Sequence, residues 1–257
     1  MEGIRAVFFD IDGTLIGRGM PNIPPRARSA MRAAQARGVK MCLCTGRTPD
    51  ELAQFEAYPF DAFAVMNGQY CYTPDKTLRL HALAKRDVRT LVELLETEDF
   101  ACGFVELHRA YVNRVTEHVT RMFAGSHLPV PPVGDPRDAL VADVYQVNLF
   151  TTPEHEAQIL HRLPGCEAKR WCPTYADVIA RGGGKGHGVR AILAHFGISP
   201  EQALSVGDGE NDIDMFRVTA HSAAMGNAAE IVRTSATYVT ARYDQDGIVQ
   251  ALSHFGL

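Results

Sequence analysis

The chain reads Ile4-Arg5-Ala6-Val7-Phe8-Phe9-Asp10-Ile11-Asp12-Gly13-Thr14 near its start, where an apolar run ends abruptly on two closely spaced carboxylates. The run Ala6–Phe9 does not alternate between apolar and polar residues, which is typical of a strand buried on both faces of a parallel sheet. Open α/β sheets place their active sites at the carboxyl ends of such strands. Crowded carboxylates repel unless a proton or a cation neutralises one of them, so Asp10 and Asp12 indicate Mg²⁺ chemistry. Asp and Gly also favour turns, and a plain turn is the alternative.

The composition is that of an ordinary soluble globular protein, with 46% hydrophobic and 22% charged residues in a chain of 257. This length allows one large domain or two unequal ones. The formal net charge of −4 provides no basic surface for nucleic acid, and no apolar stretch is long enough to span a membrane. The N-terminus lacks a signal-peptide pattern, so we expect a cytoplasmic protein. None of the six cysteines belongs to a Cys-x-x-Cys pair, and we expect neither a zinc site nor a disulfide framework.

Strands and helices alternate on both sides of a long segment of different character. Before that segment, helical spacing follows Pro24-Pro25, and apolar runs at Val39–Cys44 and Ala62–Met66 predict two further strands. The same alternation returns at Lys185. Residues 82–184 instead combine helical segments, short alternating runs and a proline-rich loop, which indicates an inserted α+β domain. The sequence therefore predicts an α/β fold with a parallel-sheet core formed by residues 1–81 and 185–257.

Polar side chains stand at the ends of the predicted core strands. Because the carboxyl ends of parallel strands meet at one edge of a sheet, we expect these side chains to lie together. They are Asp10, Asp12, Thr45, Asn67, Asp208, Asn211, Asp212 and Asn227. The segment Gly182-Gly183-Gly184-Lys185-Gly186 would add one cation, since glycines around a lysine let backbone N–H groups approach an anion. Its order of residues is not that of a nucleotide P-loop.

Four of these segments resemble the four motifs of the haloacid dehalogenase superfamily. They are Asp10-x-Asp12-Gly13-Thr14, Thr45-Gly46-Arg47, Lys185 and Gly207-Asp208-x-x-Asn211-Asp212. The large insertion, Asn67-Gly68 after the third strand, and Met225-Gly226-Asn227-Ala228 are similar to the Cof-type branch of that superfamily (subclass IIB). The resemblance covers nearly the whole chain and implies a Rossmann-like core with an inserted α+β cap domain, residues 82–184, that governs substrate specificity. Gln69 departs from the pattern, because a small residue is common at that position.

The resemblance implies a Mg²⁺-dependent phosphomonoester hydrolase that acts through an aspartyl phosphate. Asp10 would be the nucleophile, and Asp12 would protonate the leaving alcohol and later take a proton from water. The carboxylates of Asp10 and Asp208 and the main-chain carbonyl of Asp12 would hold Mg²⁺. The implied phosphate-binding groups are the N–H groups of Ile11 and Gly46, together with Thr45, Lys185 and Asn211, supported by Asp212 and Asn67. We expect Arg47 to pair with an acidic neighbour or lie at the edge of the site, without a catalytic role.

Two other functions remain open. A phosphomutase or other phosphotransferase would use the same core but accept an alcohol in place of water. A non-catalytic phosphosugar sensor, or a switch in which Asp10 is merely phosphorylated, would not need Asp12 as an acid and base. We expect the substrate to be a small phosphorylated metabolite, and hexose phosphates, other small phosphorylated metabolites, flavin mononucleotide and pyridoxal phosphate all remain open. The sequence carries no signature of an oligomeric state.

Overall fold

The computed structural model describes residues 3–17, 20, 22–55, 58–125 and 129–257. The strands within these ranges are β1 (Ala6–Phe9), β2 (Lys40–Cys44), β3 (Ala62–Val65), β4 (Tyr70–Thr73), β5 (Lys76–Leu80), β6 (Ala101–Val105), β7 (Ala110–Val112), β8 (Gln146–Phe150), β9 (Cys166–Cys172), β10 (Tyr175–Ala180), β11 (Ala203–Gly207), β12 (His221–Ala224) and β13 (Tyr238–Val239). The α-helices are α1 (Pro25–Ala36), α2 (Lys85–Thr97), α3 (Glu117–Gly125), α4 (Pro153–Arg162), α5 (Lys185–Phe196), α6 (Ile213–Phe216), α7 (Glu230–Arg233) and α8 (Gly247–His254). Short 3₁₀ helices cover Pro49–Phe55, Met66–Gly68, Pro136–Leu140, Pro200–Gln202 and Glu210–Asp212. None of the helices in the described ranges is both long enough and apolar enough to cross a membrane.

The strand order of the larger sheet reverses next to β1, and we call this position the reversal point of the sheet. Its strand order is β13-β12-β11-β1-β2-β3-β4-β5, and neighbouring strands from β13 to β3 are parallel. The chain proceeds outward from β1 through β2 and β3 on one side, and later from β11 through β12 to β13 on the other. Ligands of open α/β sheets bind at the carboxyl ends of the strands, at such a reversal point. The topology therefore places the candidate site at the residues that follow β1 and β11.

Burial explains why these segments form strands and helices. All four residues of β1 are buried, as its uninterrupted apolar run predicts. Helix α1 has a proline at its first position and buries Ala27, Met31 and Ala34, which recur at helical spacing. Helix α5 ends at Gly197, whose left-handed backbone conformation glycine adopts readily. The predicted parallel-sheet core is confirmed.

The structure differs from the simple alternation of strands and helices in two places. The segment between β2 and β3 forms the 3₁₀ helix Pro49–Phe55 rather than an α-helix. Strands β4 and β5 form an antiparallel hairpin that extends the sheet beyond β3. Both segments are short, and periodicity distinguishes short segments poorly.

The chain divides into two compact units. The first comprises Met1–Arg47, Leu52–Leu80 and Gly184–Leu257 and contains the larger sheet. The second comprises Thr48–Glu51 and His81–Gly183 and contains an antiparallel sheet of order β7-β6-β8-β10-β9. Buried apolar residues of α2, α4 and this sheet form the core of the second unit. The role of residues 82–184 as a specificity cap stays a prediction.

Candidate active site

Asp10 and Asp208 lie side by side at the reversal point of the larger sheet, each at the carboxyl end of its strand. Asp10 follows β1 directly, and Asp208 follows β11 directly. The parallel register pairs Phe9 with Val206, and the Asp10 N–H donates to the Val206 carbonyl over 2.9 Å. Two carboxylates that lie far apart in the sequence therefore meet because their strands are neighbours.

A tight turn after Asp10 closes around the Asp208 side chain. The Gly13 N–H donates to the Ile16 carbonyl over 2.7 Å, and the Thr14 N–H donates to the Ile11 carbonyl over 3.2 Å. Gly13 has a φ of 90°, in the left-handed region that favours glycine. A Cβ atom on Gly13 would lie 2.1 Å from Oδ2 of Asp208. Both the backbone conformation and the close approach of Asp208 therefore require glycine here.

Lys185 provides a buried cation between two carboxylates. Its Nζ donates to Oδ1 of Asp10 and to Oδ1 of Asp212, each over 2.5 Å. Lys185 is the first residue of α5, and Gly184 before it has a φ of 93°. A Cβ on Gly186 would lie 2.5 Å from the Asp214 carbonyl oxygen, so this first turn packs tightly against α6. The glycine-rich segment thus brings the lysine to the carboxylates.

Asp212 holds the loop after β11 in place. Its Oδ2 accepts hydrogen bonds from the N–H groups of Asp208 and Gly209, each over 2.9 Å. Its Oδ1 accepts the Lys185 ammonium, and the side chain is fully buried. The three donors satisfy this buried carboxylate and connect the loop to Lys185.

Each carboxylate oxygen of Asp208 accepts one hydrogen bond from a neighbouring loop. The Thr14 hydroxyl donates to Oδ1 over 2.8 Å, and Nδ2 of Asn227 donates to Oδ2 over 3.1 Å. The same amide nitrogen donates to the Gly13 carbonyl over 2.9 Å. The Tyr243 N–H donates to Oδ1 of Asn227 over 3.2 Å, so both ends of the Asn227 amide are engaged.

Asp12 pairs with Arg47. Nε of Arg47 donates to Oδ2 of Asp12 over 2.8 Å, and Nη2 donates to Oδ1 over 2.7 Å. The side chain of Asp12 is 58% exposed, whereas that of Arg47 is only 8% exposed. A bidentate ion pair of this kind fixes both the position and the plane of a carboxylate. Arg47 thus has the acidic neighbour that the sequence led us to expect.

Thr45, Asn67 and Asn211 form a second connected group at the same edge. The Asn67 N–H donates to the Thr45 carbonyl over 2.9 Å, and Nδ2 of Asn211 donates to Oδ1 of Asn67 over 3.0 Å. Asn67 is buried and has a φ of 52°, which is uncommon for a residue other than glycine. Ile11 lies in the turn directly after Asp10, and Gly46 lies in the bend directly after Thr45.

Burial and like charge raise the pKa values of two carboxyl groups, those of Asp10 and Asp208. Burial raises the pKa of Asp10 well above its ordinary value, and Lys185 offsets only part of this effect. Burial, followed by the charge of Asp212, raises the pKa of Asp208 to about 7. Burial would lower the pKa of Lys185, but Asp10 and Asp212 outweigh it and the pKa is raised. One buried ammonium group therefore faces more carboxylates than it can neutralise.

This donor set fits a magnesium ion. Oxygen atoms of Asp10, Asp208 and Asp212 lie within 4.8 Å of one another. Asp212 already accepts three hydrogen bonds, so Asp10 and Asp208 are the side chains best able to bind a metal. Carboxylate oxygens are the ligands that Mg²⁺ prefers. A divalent cation would also supply the positive charge that the raised pKa values indicate is lacking.

A family model for haloacid dehalogenase-like hydrolases matches residues 7–252. The chain belongs to this family. The matched range contains every predicted site residue, from Asp10 to Asn227. The predicted superfamily and the predicted Rossmann-like fold class are confirmed.

Solved structures of the superfamily share the fold of this haloacid dehalogenase-like hydrolase. BT4131, a sugar phosphatase of subclass IIB, is 38% identical with a TM-score of 0.91, and the match covers 98% of this chain and 99% of BT4131. BT1666, a phosphatase from Bacteroides thetaiotaomicron, is 31% identical with a TM-score of 0.92, and the match covers 99% of this chain and 96% of BT1666. The prediction of a phosphatase of the haloacid dehalogenase type is confirmed.

Two relatives found by sequence are more distant. The 5-amino-6-(5-phospho-D-ribitylamino)uracil phosphatase YitU of Bacillus subtilis is 25% identical over 262 residues, covering 97% of this hydrolase and 96% of YitU. A Streptococcus pyogenes protein named "Putative bifunctional phosphatase/peptidyl-prolyl cis-trans isomerase" is 26% identical over 260 residues. This hydrolase spans only 54% of that protein's length, although 99% of its own chain is matched.

Sequence reasoning missed how Asp208 is held. Thr14 belongs to the first motif and Asn227 was expected at the same edge, but neither was given a role toward Asp208. Their contacts join loops that are distant in the sequence, so no local pattern could reveal them. Tyr243 contributes only its backbone N–H, which nearly every residue type possesses.

Proposed function

We propose that this chain is a Mg²⁺-dependent phosphomonoester hydrolase that acts on a small phosphorylated metabolite through an aspartyl phosphate at Asp10. The observation that carries the proposal is the contact of Asp10 with the buried ammonium of Lys185, beside Asp208, at the reversal point of the sheet. A carboxylate held next to fixed positive charge can approach a phosphate dianion without prohibitive repulsion.

The first half-reaction transfers the phosphoryl group to the enzyme. A carboxylate oxygen of Asp10 attacks phosphorus, and the bond between phosphorus and the leaving-group oxygen breaks. Asp12 donates a proton to that oxygen, so that a neutral alcohol departs. The exposed carboxyl of Asp12, held by Arg47, can meet a leaving group more readily than a buried one could.

The second half-reaction returns the enzyme to its starting state. Asp12 takes a proton from water as the water oxygen attacks phosphorus. The bond between phosphorus and the Asp10 oxygen breaks, and inorganic phosphate is released. The same residue thus serves as acid in the first step and as base in the second. The second step resembles the reverse of the first with water in place of the alcohol, so microscopic reversibility favours this exchange of roles.

Charge on the transferred group is balanced by fixed groups of the chain. We assign phosphoryl-oxygen binding to the N–H groups of Ile11 and Gly46 and to Thr45, Lys185 and Asn211, with Asp212 and Asn67 in support. Asp10, Asp208 and the main-chain carbonyl of Asp12 would hold Mg²⁺. Bound there, Mg²⁺ would supply the charge stabilisation that phosphoryl transfer requires.

The proposed substrate class is supported by the names of the related phosphatases. BT4131 is a sugar phosphatase, and the substrate in the name of YitU carries a phosphorylated ribityl chain. Both leaving groups are small and hydroxylated, so we infer a sugar phosphate or a similar cytoplasmic metabolite for this chain. Residues 82–184 would recognise the leaving group. A panel of phosphomonoesters assayed for phosphate release with Mg²⁺ would identify it.

The two leading aspartates provide the decisive test. We expect Asp10→Asn to abolish turnover of every substrate, because no nucleophile remains. We expect Asp12→Asn to fail with an alkyl phosphate but still to be phosphorylated by p-nitrophenyl phosphate, whose leaving group needs little protonation. Rapid quenching should then detect phosphorylated Asp12→Asn protein and none in Asp10→Asn. The assignment is wrong if both variants behave alike and neither traps phosphate.

The same assay separates hydrolysis from phosphotransfer. Phosphate release that does not change when a sugar alcohol is added supports a hydrolase. Transfer of most of the phosphate to the added alcohol would instead support a phosphotransferase, phosphorylation of Asp10 without turnover would support a switch, and neither phosphorylation nor turnover would support a sensor.

A further inference from the structure

We propose that Thr14 and Asn227 are positioning residues that fix the orientation of the Asp208 carboxylate and thereby set the affinity of the site for Mg²⁺. The inference rests on the proposed function, in which Asp208 is a metal ligand. It assigns a role to two side chains that lie beside the ligands rather than among them. We call these two residues the Asp208 clamp.

Thr14 fixes one oxygen of the carboxylate. Its hydroxyl donates to Oδ1 of Asp208 over 2.8 Å, and its side chain is fully buried. The turn that carries it is itself held by the hydrogen bond from the Thr14 N–H to the Ile11 carbonyl. The donor therefore has little freedom to move away from Asp208.

Asn227 fixes the other oxygen. The Tyr243 N–H donates to its Oδ1, which directs its Nδ2 toward Oδ2 of Asp208 and the Gly13 carbonyl. Reversing the amide would place its oxygen against two acceptors, so only this orientation satisfies every group. Asn227 thus also connects Asp208 to the turn that follows Asp10.

A clamp of this kind leaves the carboxylate able to bind a cation. Each carboxylate oxygen can accept about two hydrogen bonds or metal bonds, and the clamp uses one on each oxygen. Because the side chain is already held, metal binding would cost little further loss of rotational freedom. Partners of metal-binding residues typically contribute 10–100-fold to metal affinity.

A matched pair at Thr14 tests the proposal. Thr14→Val keeps the shape of the buried side chain but loses the hydroxyl, whereas Thr14→Ser keeps the donor. We expect the Mg²⁺ dissociation constant, measured by calorimetry on metal-free protein, to rise about 10–100-fold in Thr14→Val. In Thr14→Ser it should stay within about threefold of the parent value, a difference that packing alone would not produce.

A second position and a remote control complete the test. Asn227→Ala should also weaken Mg²⁺ binding by about 10–100-fold. Thr219→Val removes another buried threonine hydroxyl, one that bonds to Ser205 and two backbone carbonyls. It should lower the melting temperature and leave the Mg²⁺ dissociation constant unchanged.

The outcomes separate the clamp from the proposed function. Parental Mg²⁺ affinity in folded Thr14→Val and Asn227→Ala proteins would overturn the clamp and leave the proposed function standing. Equal weakening in Thr14→Val, Thr14→Ser and Thr219→Val would overturn it too, because general loosening would then be the cause. A parent protein that binds no Mg²⁺ would overturn the metal assignment itself.

Discussion

At the scale of single residues, Lys185 decides the electrostatic balance of the site. Its ammonium group touches Asp10 and Asp212, and all three side chains are buried. Removing one partner of a buried ion pair leaves a charge without compensation, which costs more than the pair itself contributes. A substitution at Lys185 should therefore affect stability as well as activity.

We expect Lys185→Met to reduce the free energy of unfolding by roughly 3–5 kcal/mol and the turnover number by at least about 100-fold. Urea unfolding and phosphate release measure the two effects. Lys76→Met changes an exposed lysine of β5 and should alter neither by much. A Lys185→Met protein as stable as the parent would show that Asp10 and Asp212 do not depend on this cation.

Gln69 presents the opposite situation, a buried polar group without compensation. Its side chain is fully buried, and neither amide atom has a hydrogen-bond partner among the residues that the structure describes. Such groups cost about 1–3 kcal/mol each. Gln69→Met, of similar length, should therefore increase the free energy of unfolding by a comparable amount in urea titrations.

The contrasting variant is Gln146→Met. Gln146 is also buried, but its amide donates to Asp177 over 3.1 Å, so this substitution should decrease stability. If Gln69→Met decreased stability as well, the Gln69 amide would have a partner, such as a bound water.

At the scale of elements, the sequence predicted which strands deliver the site but not how their loops hold one another. Each strand end could be predicted because an apolar run and the polar residue after it are adjacent in the chain. The hydrogen bond from Thr14 to Asp208 joins residues 194 positions apart, and that from Asn227 to Gly13 joins residues 214 apart. Such contacts depend on the register of β1 beside β11, which no local pattern contains.

Helix α5 illustrates how element packing positions a functional side chain. A Cβ on Gly188 would lie 2.7 Å from Cβ of Ala64 and 3.2 Å from Cα of Gly68. Within a helix, alanine is more favourable than glycine by about 1 kcal/mol. Glycine at position 188 therefore lowers helix propensity, and what it provides is room for the close approach of α5 to β3. We expect Gly188→Ala to cost about 1–3 kcal/mol net and to lower turnover by displacing Lys185.

Thermal unfolding and a kinetic assay of Gly188→Ala would measure these effects. Arg190 is exposed on the same helix, so Arg190→Ala should change stability and turnover little. Unchanged turnover in a destabilised Gly188→Ala protein would mean that Lys185 keeps its position although the helix has moved.

At the scale of the whole molecule, one sheet is assembled from two separated segments of the chain. The segment before residue 81 contributes Asp10, and the segment after residue 183 contributes Lys185 and Asp208. The charges of the site are therefore brought together by the folding of the first unit. Their mutual repulsion must appear in the stability of that unit, and it should depend on pH and on Mg²⁺.

The sign of this dependence follows from the raised pKa values. Asp208 has a pKa of about 7 in the folded, metal-free protein against an ordinary value of 3.8, and the pKa of Asp10 is raised as well. The folded state therefore binds more protons than the unfolded state between these pH values, and stability should decrease as pH rises from about 4 to 7. Each such proton contributes a slope of about 1.4 kcal/mol per pH unit.

Mg²⁺ should replace these protons, so its stabilising effect should grow with pH up to about 7 and level off above it. Melting temperatures with EDTA and with excess Mg²⁺, recorded from pH 5 to pH 8, measure this growth, and phosphate release should disappear in EDTA and return with Mg²⁺. Asp208→Asn removes one titrating ligand, so its metal-free stability should vary less with pH and respond less to Mg²⁺. Equal stabilisation by Mg²⁺ at pH 5 and pH 8 would mean that the ion does not compete with these protons, and it would have to bind elsewhere than at Asp10 and Asp208.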